Sequence, residues 1–219
     1  MPLEISLAKR PPLIADVASA VLLAAISVAL WLYSPILGQL NASHPYLMGF
    51  CNFAVLSTYG EALNHRIAAG SWWPPKLLAR ALVWGVFGIW ITAAFPYAAG
   101  GVGALVEGGL WPSYAMAFWT SLWANLLSGF GFFMMATHLW VSSMVEDGPR
   151  WPWEVFGSAQ AVGWARVVLI SLVFFWLPAH TLTFLLPAEW RTLFASYLGI
   201  ALGLLLSLAS RRSRPSVLS

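Results

Sequence analysis

The chain has 219 residues, of which 60% are apolar and only 9% are charged, and its mean hydropathy is +0.76. This composition excludes an ordinary water-soluble domain and predicts an all-α, polytopic transmembrane helix bundle whose first partner is the lipid bilayer. The formal net charge of +3 is not concentrated in a soluble basic domain, so a nucleic-acid partner is not expected. A single cysteine, Cys51, excludes an intrachain disulfide and a CxxC motif.

About six stretches are long enough to cross a bilayer, since a transmembrane helix needs about 20 apolar residues. The first, at 13–37, follows Lys9 and Arg10. It is too long for the apolar part of a secretory signal and lacks a small-residue cleavage site, so we interpret it as a retained anchor. The remaining predicted spans are 46–66, 76–97, 112–141, 166–186 and 188–210.

The positive charges predict the orientation of these spans, because short loops rich in Lys and Arg tend to stay in the cytoplasm. With the N-terminus inside, Arg191 is the one cation predicted outside. The cations predicted inside are Lys9, Arg10, Arg66, Lys76, Arg80, Arg150, Arg166, Arg211, Arg212 and Arg214. Both termini are therefore expected to be cytoplasmic. Residues 1–43 form a cytoplasmic segment and an additional helix, and residues 44–219 form the main helical bundle.

Two segments interrupt the apolar spans. Residues 98–109, "AAGGVGALVEGG", are rich in glycine and predict an outer loop or a short re-entrant turn. Residues 145–160 are the longest polar insertion and predict an inner loop with an interfacial stretch. Neither segment is large enough for a catalytic domain.

Polar residues within the second span are the first functional candidates, because charges in hydrocarbon must face protein or water. Glu61 and His65 are four residues apart, so both lie on one side of a helix and can contact each other. Gly60 leaves room there for a neighbouring backbone. Two interpretations remain open: a functional pair in the membrane, or an interfacial pair that supports packing.

A polar stripe marks the fourth span. Ser121, Asn125 and Ser128 follow each other at helical spacing and therefore share one face. Such a face can line a wet cavity, or it can supply interhelical hydrogen bonds that hold the bundle together.

The stretch "FFWLPAHTLTFLLPAEWR", residues 174–191, combines helix breakers with polar side chains. Pro178 cannot donate to the carbonyl of Phe174, so the fifth span is expected to kink there. Polar groups follow within little more than one turn, at His180, Thr181 and Thr183. Broken backbone at membrane depth is tolerated only where protein or water satisfies it.

A tight outer corner follows the kink. Pro187 ends the fifth span and suits the start of the sixth, and Glu189 lies where a helix N-terminus favours an anion. Arg191 belongs to the same first turn. The polar groups of this corner must satisfy one another or face a path for solvent.

Three short motifs lie at fixed distances in the second span: "HPY" at 44–46, "GE" at 60–61 and "NH" at 64–65. They keep the spacing of the first shared helix of the Mpv/peroxisomal-membrane-protein family, small polytopic proteins of mitochondrial inner, peroxisomal and some bacterial membranes, which the chain resembles from residue 44 onward. The residues that match its C-terminal signature "WPxxQxxNFxxVPxxxR" are Trp176, Phe184, Leu186, Pro187 and Arg191, followed by Leu206 and Ser207. The chain also departs from the signature: Pro178 is displaced by one, and His180 and Thr183 replace amides.

The resemblance implies a channel-like protein for small solutes or a factor that supports organelle metabolism, with no enzymatic activity. Our leading hypothesis is a channel-like or small-solute permeation protein, possessing no metal site or cofactor. Its candidate residues for a polar interior are Glu61, His65, Asn125, His180, Thr183 and Arg191. Its structural signature comprises Gly60, Trp176, Pro178, Phe184 and Pro187.

Two alternatives remain open at this point. One is a structural or assembly subunit of a larger membrane complex with a stoichiometric partner, whereas a free channel is expected to run alone or as a homo-oligomer. The other is a haem- or quinone-binding membrane protein, for which His65 and His138 on different helices are conceivable ligands. The N-terminus lacks the Arg and Ser content of an organellar transit peptide, so we expect a bacterial cytoplasmic membrane; the alternatives are mitochondrial inner and peroxisomal membranes.

Overall fold

The computed structural model describes residues 13–157 and 159–212, and every regular element in these ranges is helical. The α-helices are α1 Leu13–Leu32, α2 Ser34–Ser43, α3 Pro45–Asn52, α4 Thr58–Ala69, α5 Leu77–Glu107, α6 Met116–Leu122, α7 Phe130–Asp147, α8 Pro152–Phe156, α9 Ala159–Ser171, α10 Leu177–Leu185 and α11 Ala188–Arg212. Lys9, Arg10 and Arg214, used above for the orientation, lie outside the described residues.

Three of the described helices are long and apolar enough to cross a membrane: Leu13–Leu32, Leu77–Glu107 and Val162–Leu185. A fourth span is counted if Ser113–Leu127 and Phe130–Asp147, which meet at a bend of 50°, form one broken crossing. The all-helical class is confirmed, and these apolar helices are compatible with an integral membrane protein. The number of six spans and the orientation of the termini stay predictions.

Three π-helical segments join or extend the α-helices. Phe53–Ser57 connects α3 to α4, Trp123–Leu127 extends α6, and Leu172–Trp176 connects α9 to α10. The third segment ends two residues before Pro178, which has no N–H to donate to the preceding turn. Leu177 N–H instead bonds Leu172 O, five residues back. The kink predicted at Pro178 therefore takes the form of a widened turn within a continuous span.

The glycine-rich stretch 98–109 is not the loop that the sequence predicts. Helix α5 continues through it to Glu107 and also contains Pro96. Glycine breaks helices in water partly because it exposes the backbone, and that penalty weakens in an apolar environment, where glycine is frequent in helices. The helix ends only at Gly108, and Gly109 then takes a positive φ of 72°.

Two other predicted spans are also divided. The predicted span 112–141 bends between the second π segment and α7. Gly129 adopts a φ of 71° there, in the left-handed region that suits glycine. The stretch 13–37 is divided at Tyr33, where α1 ends and α2 begins with Pro35 in its first turn.

Arg66, Lys76, Arg80 and Arg150 lie at one end of the bundle, which we call the basic end; it contains the connections 70–76 and 148–157. Lys76 Nζ donates to Val145 O at 2.5 Å, which joins the connection 70–76 to the last turn of α7, directly before the connection 148–157. At the same end Asp16 of α1 accepts hydrogen bonds from Arg66 Nη2 at 2.7 Å and Trp72 Nε1 at 2.8 Å. Helix α1, none of whose residues is buried, is thereby held to α4.

Two pairs of glycines allow helix backbones to touch in the bundle. Gly49 of α3 meets Gly88 of α5, and a Cβ built at Gly88 would lie 2.2 Å from Gly49 O. Gly60 of α4 meets Gly199 of α11, where a Cβ at Gly60 would lie 2.8 Å from Gly199 O. Small residues at such crossings are typical of helices packed in membranes.

Candidate functional site

A cavity of about 250 Å³ lies between the helices. All three π-helical segments contribute to its wall: Phe53 and Ser57 from the first, Ala124 and Asn125 from the second, Leu172 and Trp176 from the third. Helices α4, α5, α7, α10 and α11 supply the rest. Widened turns of this kind are frequent at functional sites. Their convergence makes this cavity the candidate site.

A hydrogen-bond chain crosses one wall of the cavity. Asn125, only 3% exposed, donates from Nδ2 to Ser121 O at 2.8 Å, and its Oδ1 lies 3.1 Å from His180 Nδ1. Because a carbonyl oxygen can only accept, His180 donates from Nδ1. Ser121 Oγ donates to Leu177 O at 2.7 Å. The polar stripe of the fourth span therefore supplies both interhelical bonds and a cavity-lining amide.

Glu61 lines the cavity toward the basic end and is bound by a cation from another helix. Arg80 Nη1 of α5 donates to Glu61 Oε2 at 3.2 Å, and its Nη2 donates to Glu146 Oε1. His138 Nε2 lies 4.0 Å from Glu61 Oε1. One guanidinium thus bridges two carboxylates from different helices, using the fork of donors that arginine offers.

The contact that the sequence suggests between Glu61 and His65 is not formed. His65 Nδ1 instead lies 2.7 Å from Ser71 O in the connection after α4, and His65 does not line the cavity. The physical reason is that α4 ends at Ala69 and the chain folds back, so a backbone carbonyl reaches the ring. The conceivable pair of His65 and His138 is likewise not brought together in this cavity.

Each of the two cavity histidines contacts a tryptophan. The ring centroids of Trp84 and His138 are 4.2 Å apart, and those of Trp176 and His180 are 5.1 Å apart. The first pair joins α5 to α7, and the second joins the third π segment to α10. The two histidine rings of the cavity wall therefore each pack against an indole ring.

The other candidates lie away from the cavity. Thr183 is fully buried and donates to Ala179 O at 3.0 Å within its own helix. Arg191 lies at the opposite end of the bundle, at the connection between α10 and α11, which we call the corner end. It donates from Nε to Leu186 O at 3.0 Å. Of the signature residues, Gly60 and Trp176 line the cavity, and Phe184 lies beneath Arg191 with its ring 5.6 Å from the guanidinium carbon.

A second cavity of about 230 Å³ lies at the corner end and includes Arg191 in its lining. Phe95 of α5 lines both this cavity and the central one. It is 4% exposed, and its ring meets His180 at 5.4 Å and Phe184 at 5.0 Å, both edge to face. The Phe95 ring is thus a shared wall between the central cavity and the corner end.

Several residues of the site were not found from the sequence. Charge predicts that Arg80 lies on the inner side, and Glu146 belongs to the predicted inner loop 145–160, but nothing in the spacing predicts that Arg80 binds both Glu61 and Glu146. Trp84 and Phe95 belong to an evenly apolar helix without a distinguishing pattern. His138 can be selected from the sequence only as one of the four histidines in the chain.

No group of three or more His, Cys, Asp or Glu side chains that could hold a metal ion occurs in the described part of the chain. A scan against protein-family models found no match for this chain, and searches of curated proteins and of solved structures found none either. The resemblance to the Mpv family therefore stays a prediction.

Proposed function

We propose that this chain is an integral membrane protein that lets a small solute pass through the central cavity, in a bacterial cytoplasmic membrane. The observation that carries the proposal is the convergence of polar groups on this cavity: Glu61 from α4, Asn125 from the second π segment and His180 from α10. Polar side chains are costly in hydrocarbon, and their presence around a shared space is typical of a solute site.

The proposed path enters at the basic end and leaves at the corner end. Glu61 and its partner Arg80 form the entrance, and Phe95 separates the central cavity from the cavity beside Arg191. We also propose six spans with both termini in the cytoplasm, so that the Lys- and Arg-rich end lies inside; this orientation is inferred from the usual distribution of positive charge.

Solute entry into vesicles tests this proposal. Purified protein in liposomes should accelerate the swelling caused by urea, glycerol or erythritol relative to empty vesicles, and sucrose should be excluded by its size. Met135→Trp enlarges a side chain that lines the cavity and should lower the rate. Met144→Trp, the same change in the same helix outside the cavity lining, should leave the rate unchanged.

Planar-bilayer recordings test the passage of ions in parallel. Folded protein that conducts no ion and admits no neutral solute would overturn the proposal.

A second candidate function is an assembly subunit of a larger membrane complex. The observation that favours it is that polar groups of the stripe are already engaged inside the bundle, as in the bond from Ser121 Oγ to Leu177 O at 2.7 Å. Extraction in a mild detergent followed by sizing distinguishes the two. A partner at fixed stoichiometry supports the assembly role, whereas a protein that migrates alone or as a homo-oligomer supports the permeation role.

A further inference from the structure

Glu61 is the one acidic side chain among the described residues that line the central cavity, and none of these lining residues is Lys or Arg. The Glu61 side chain is 20% exposed, so its carboxylate is not fully enclosed by protein. Oε2 accepts a hydrogen bond from Arg80, which does not line the cavity, at 3.2 Å. Oε1 has no hydrogen-bond partner among the described residues. It lies on the side of His138, a lining residue, whose Nε2 is 4.0 Å away and thus beyond hydrogen-bonding distance.

The counter-ion of Glu61 is shared with a second carboxylate. The other terminal nitrogen of Arg80, Nη2, donates to Glu146 Oε1, so one guanidinium binds two carboxylates. Lys76 also lies beside Glu146, but it is exposed and its Nζ bonds the backbone carbonyl of Glu146 at 3.1 Å. Arg80 therefore offsets the charge of Glu61 only in part. In a medium of low dielectric constant the remaining negative charge attracts a cation and repels an anion.

The rest of the lining favours an organic cation over a bare metal ion. Ions such as Ca²⁺ take about six to eight oxygen ligands, whereas the side-chain oxygen of Asn125 in this lining is already bonded to His180. An alkylated ammonium group carries its charge within an apolar surface and is bound by aromatic rings. The rings that line this cavity, besides the two histidines, belong to Phe53, Trp84, Phe95, Phe130 and Trp176.

We propose that the central cavity binds a small alkylammonium cation, whose N–H groups donate to Glu61 Oε1 while its alkyl groups contact the aromatic lining. The volume of about 250 Å³ admits such a cation and lies below the range of about 300–1,000 Å³ that is typical of sites for drug-sized ligands. This inference rests on the proposed function only in taking the central cavity as the solute site. It names the chemical class that the site selects.

Equilibrium dialysis of the full chain in uncharged detergent micelles, against matched empty micelles, tests this inference. The probe is tert-butylammonium, which stays charged at neutral pH because aliphatic ammonium groups lose their proton at about pH 10. We expect saturable binding of one cation per chain. Glu61→Gln should weaken binding by at least about 10-fold, the equivalent of one hydrogen bond between charged groups. Glu107→Gln, the same change at an exposed glutamate outside the cavity lining, should leave binding unchanged.

A second comparison uses the unaltered protein and so does not depend on the folding of any variant. The alcohol tert-butanol carries the same alkyl group without the charge and should bind at least about 10-fold more weakly than tert-butylammonium. Equal binding of tert-butanol, no saturable binding of tert-butylammonium, or unchanged binding by folded Glu61→Gln protein would overturn the inference. Binding without entry of any solute or ion into vesicles would instead overturn the proposed function and leave this site assignment standing. Entry of neutral solutes without tert-butylammonium binding would do the reverse.

Discussion

His180 Nδ1 lies 3.1 Å from Asn125 Oδ1, so a histidine of α10 and an amide of the second π segment share a hydrogen bond inside the bundle. The amide is held in place because its Nδ2 donates to Ser121 O at 2.8 Å. Asn125 therefore presents its carbonyl oxygen to the histidine, which fixes the proton on Nδ1. The orientation of the His180 ring in the cavity wall follows from this bond.

Replacing Asn125 by Ala should destabilise the protein, because His180 loses its acceptor and a buried space is left. Hydrogen bonds between helices in membranes contribute about 1 kcal/mol. For a chain of this size that loss lowers the unfolding midpoint by about 2–4 °C. Thermal unfolding followed by size-exclusion chromatography measures it. Thr137→Ala removes a bond of 2.9 Å to Phe133 O within one helix and serves as the control. Equal midpoints for the two variants would contradict the prediction.

The ion pair between Arg80 and Glu61 should contribute more to stability than a surface pair. Its side chains are only 16% and 20% exposed, whereas those of Arg150 and Asp147 are 42% and 49% exposed. A double-mutant cycle of Arg80→Met and Glu61→Gln should give a coupling free energy of about 1 kcal/mol. The matched cycle at Arg150 and Asp147 should give about 0–0.5 kcal/mol and fall further with salt. Equal coupling free energies in the two cycles would contradict the prediction that the buried pair stabilises the protein more than the exposed pair.

Gly60→Ala should be clearly destabilising, since the new Cβ would lie 2.8 Å from the Gly199 carbonyl oxygen and 2.9 Å from its carbon. Both are backbone atoms, so the two helices must separate. We expect a loss of about 1–3 kcal/mol in the free energy of unfolding. Gly100→Ala in α5 is the control, because no atom lies within 4 Å of a Cβ there. That change should be neutral or stabilising by up to about 1 kcal/mol. A stable Gly60→Ala protein would mean that α4 and α11 are not in close contact.

Phe95→Leu should increase the rate of solute entry into vesicles, because a smaller side chain opens the wall between the central cavity and the corner end. Phe184→Leu removes a ring that is similarly buried, 6% exposed against 4%, but lines neither of these two cavities. It should leave the rate unchanged. Swelling of proteoliposomes measures both. A rate that rises equally in both variants would indicate general loosening of the bundle instead of an opened path.

The sequence predicts the helical class well because apolar runs of this length have few other stable forms. It also predicts the corner at Pro187, since proline cannot continue the preceding helix, and α10 indeed ends at Leu185 and α11 begins at Ala188. Arg191 satisfies the carbonyl of Leu186 at this corner, one of the two outcomes expected for its polar groups.

The features that escape sequence analysis depend on contacts between distant residues. Nothing local to Phe53 or Trp123 predicts a π-helical turn, because a widened turn is selected by the packing around it. Glu61 takes a partner on α5 instead of His65, since the two helices meet there and arginine reaches further than a neighbouring ring. The glycines at 100 and 101 look like a loop only under the rules that hold in water.

The contact between α4 and α11 has a consequence for the order in which the site is assembled during synthesis. Ala195 and Gly199 of the last helix complete the wall that Ser57 and Gly60 begin. Before this last helix is synthesised, the earlier helices therefore form a central cavity that is open on one side. The cavity closes only when α11 packs against α4. A shortened chain that stops before residue 188 therefore lacks a complete central cavity.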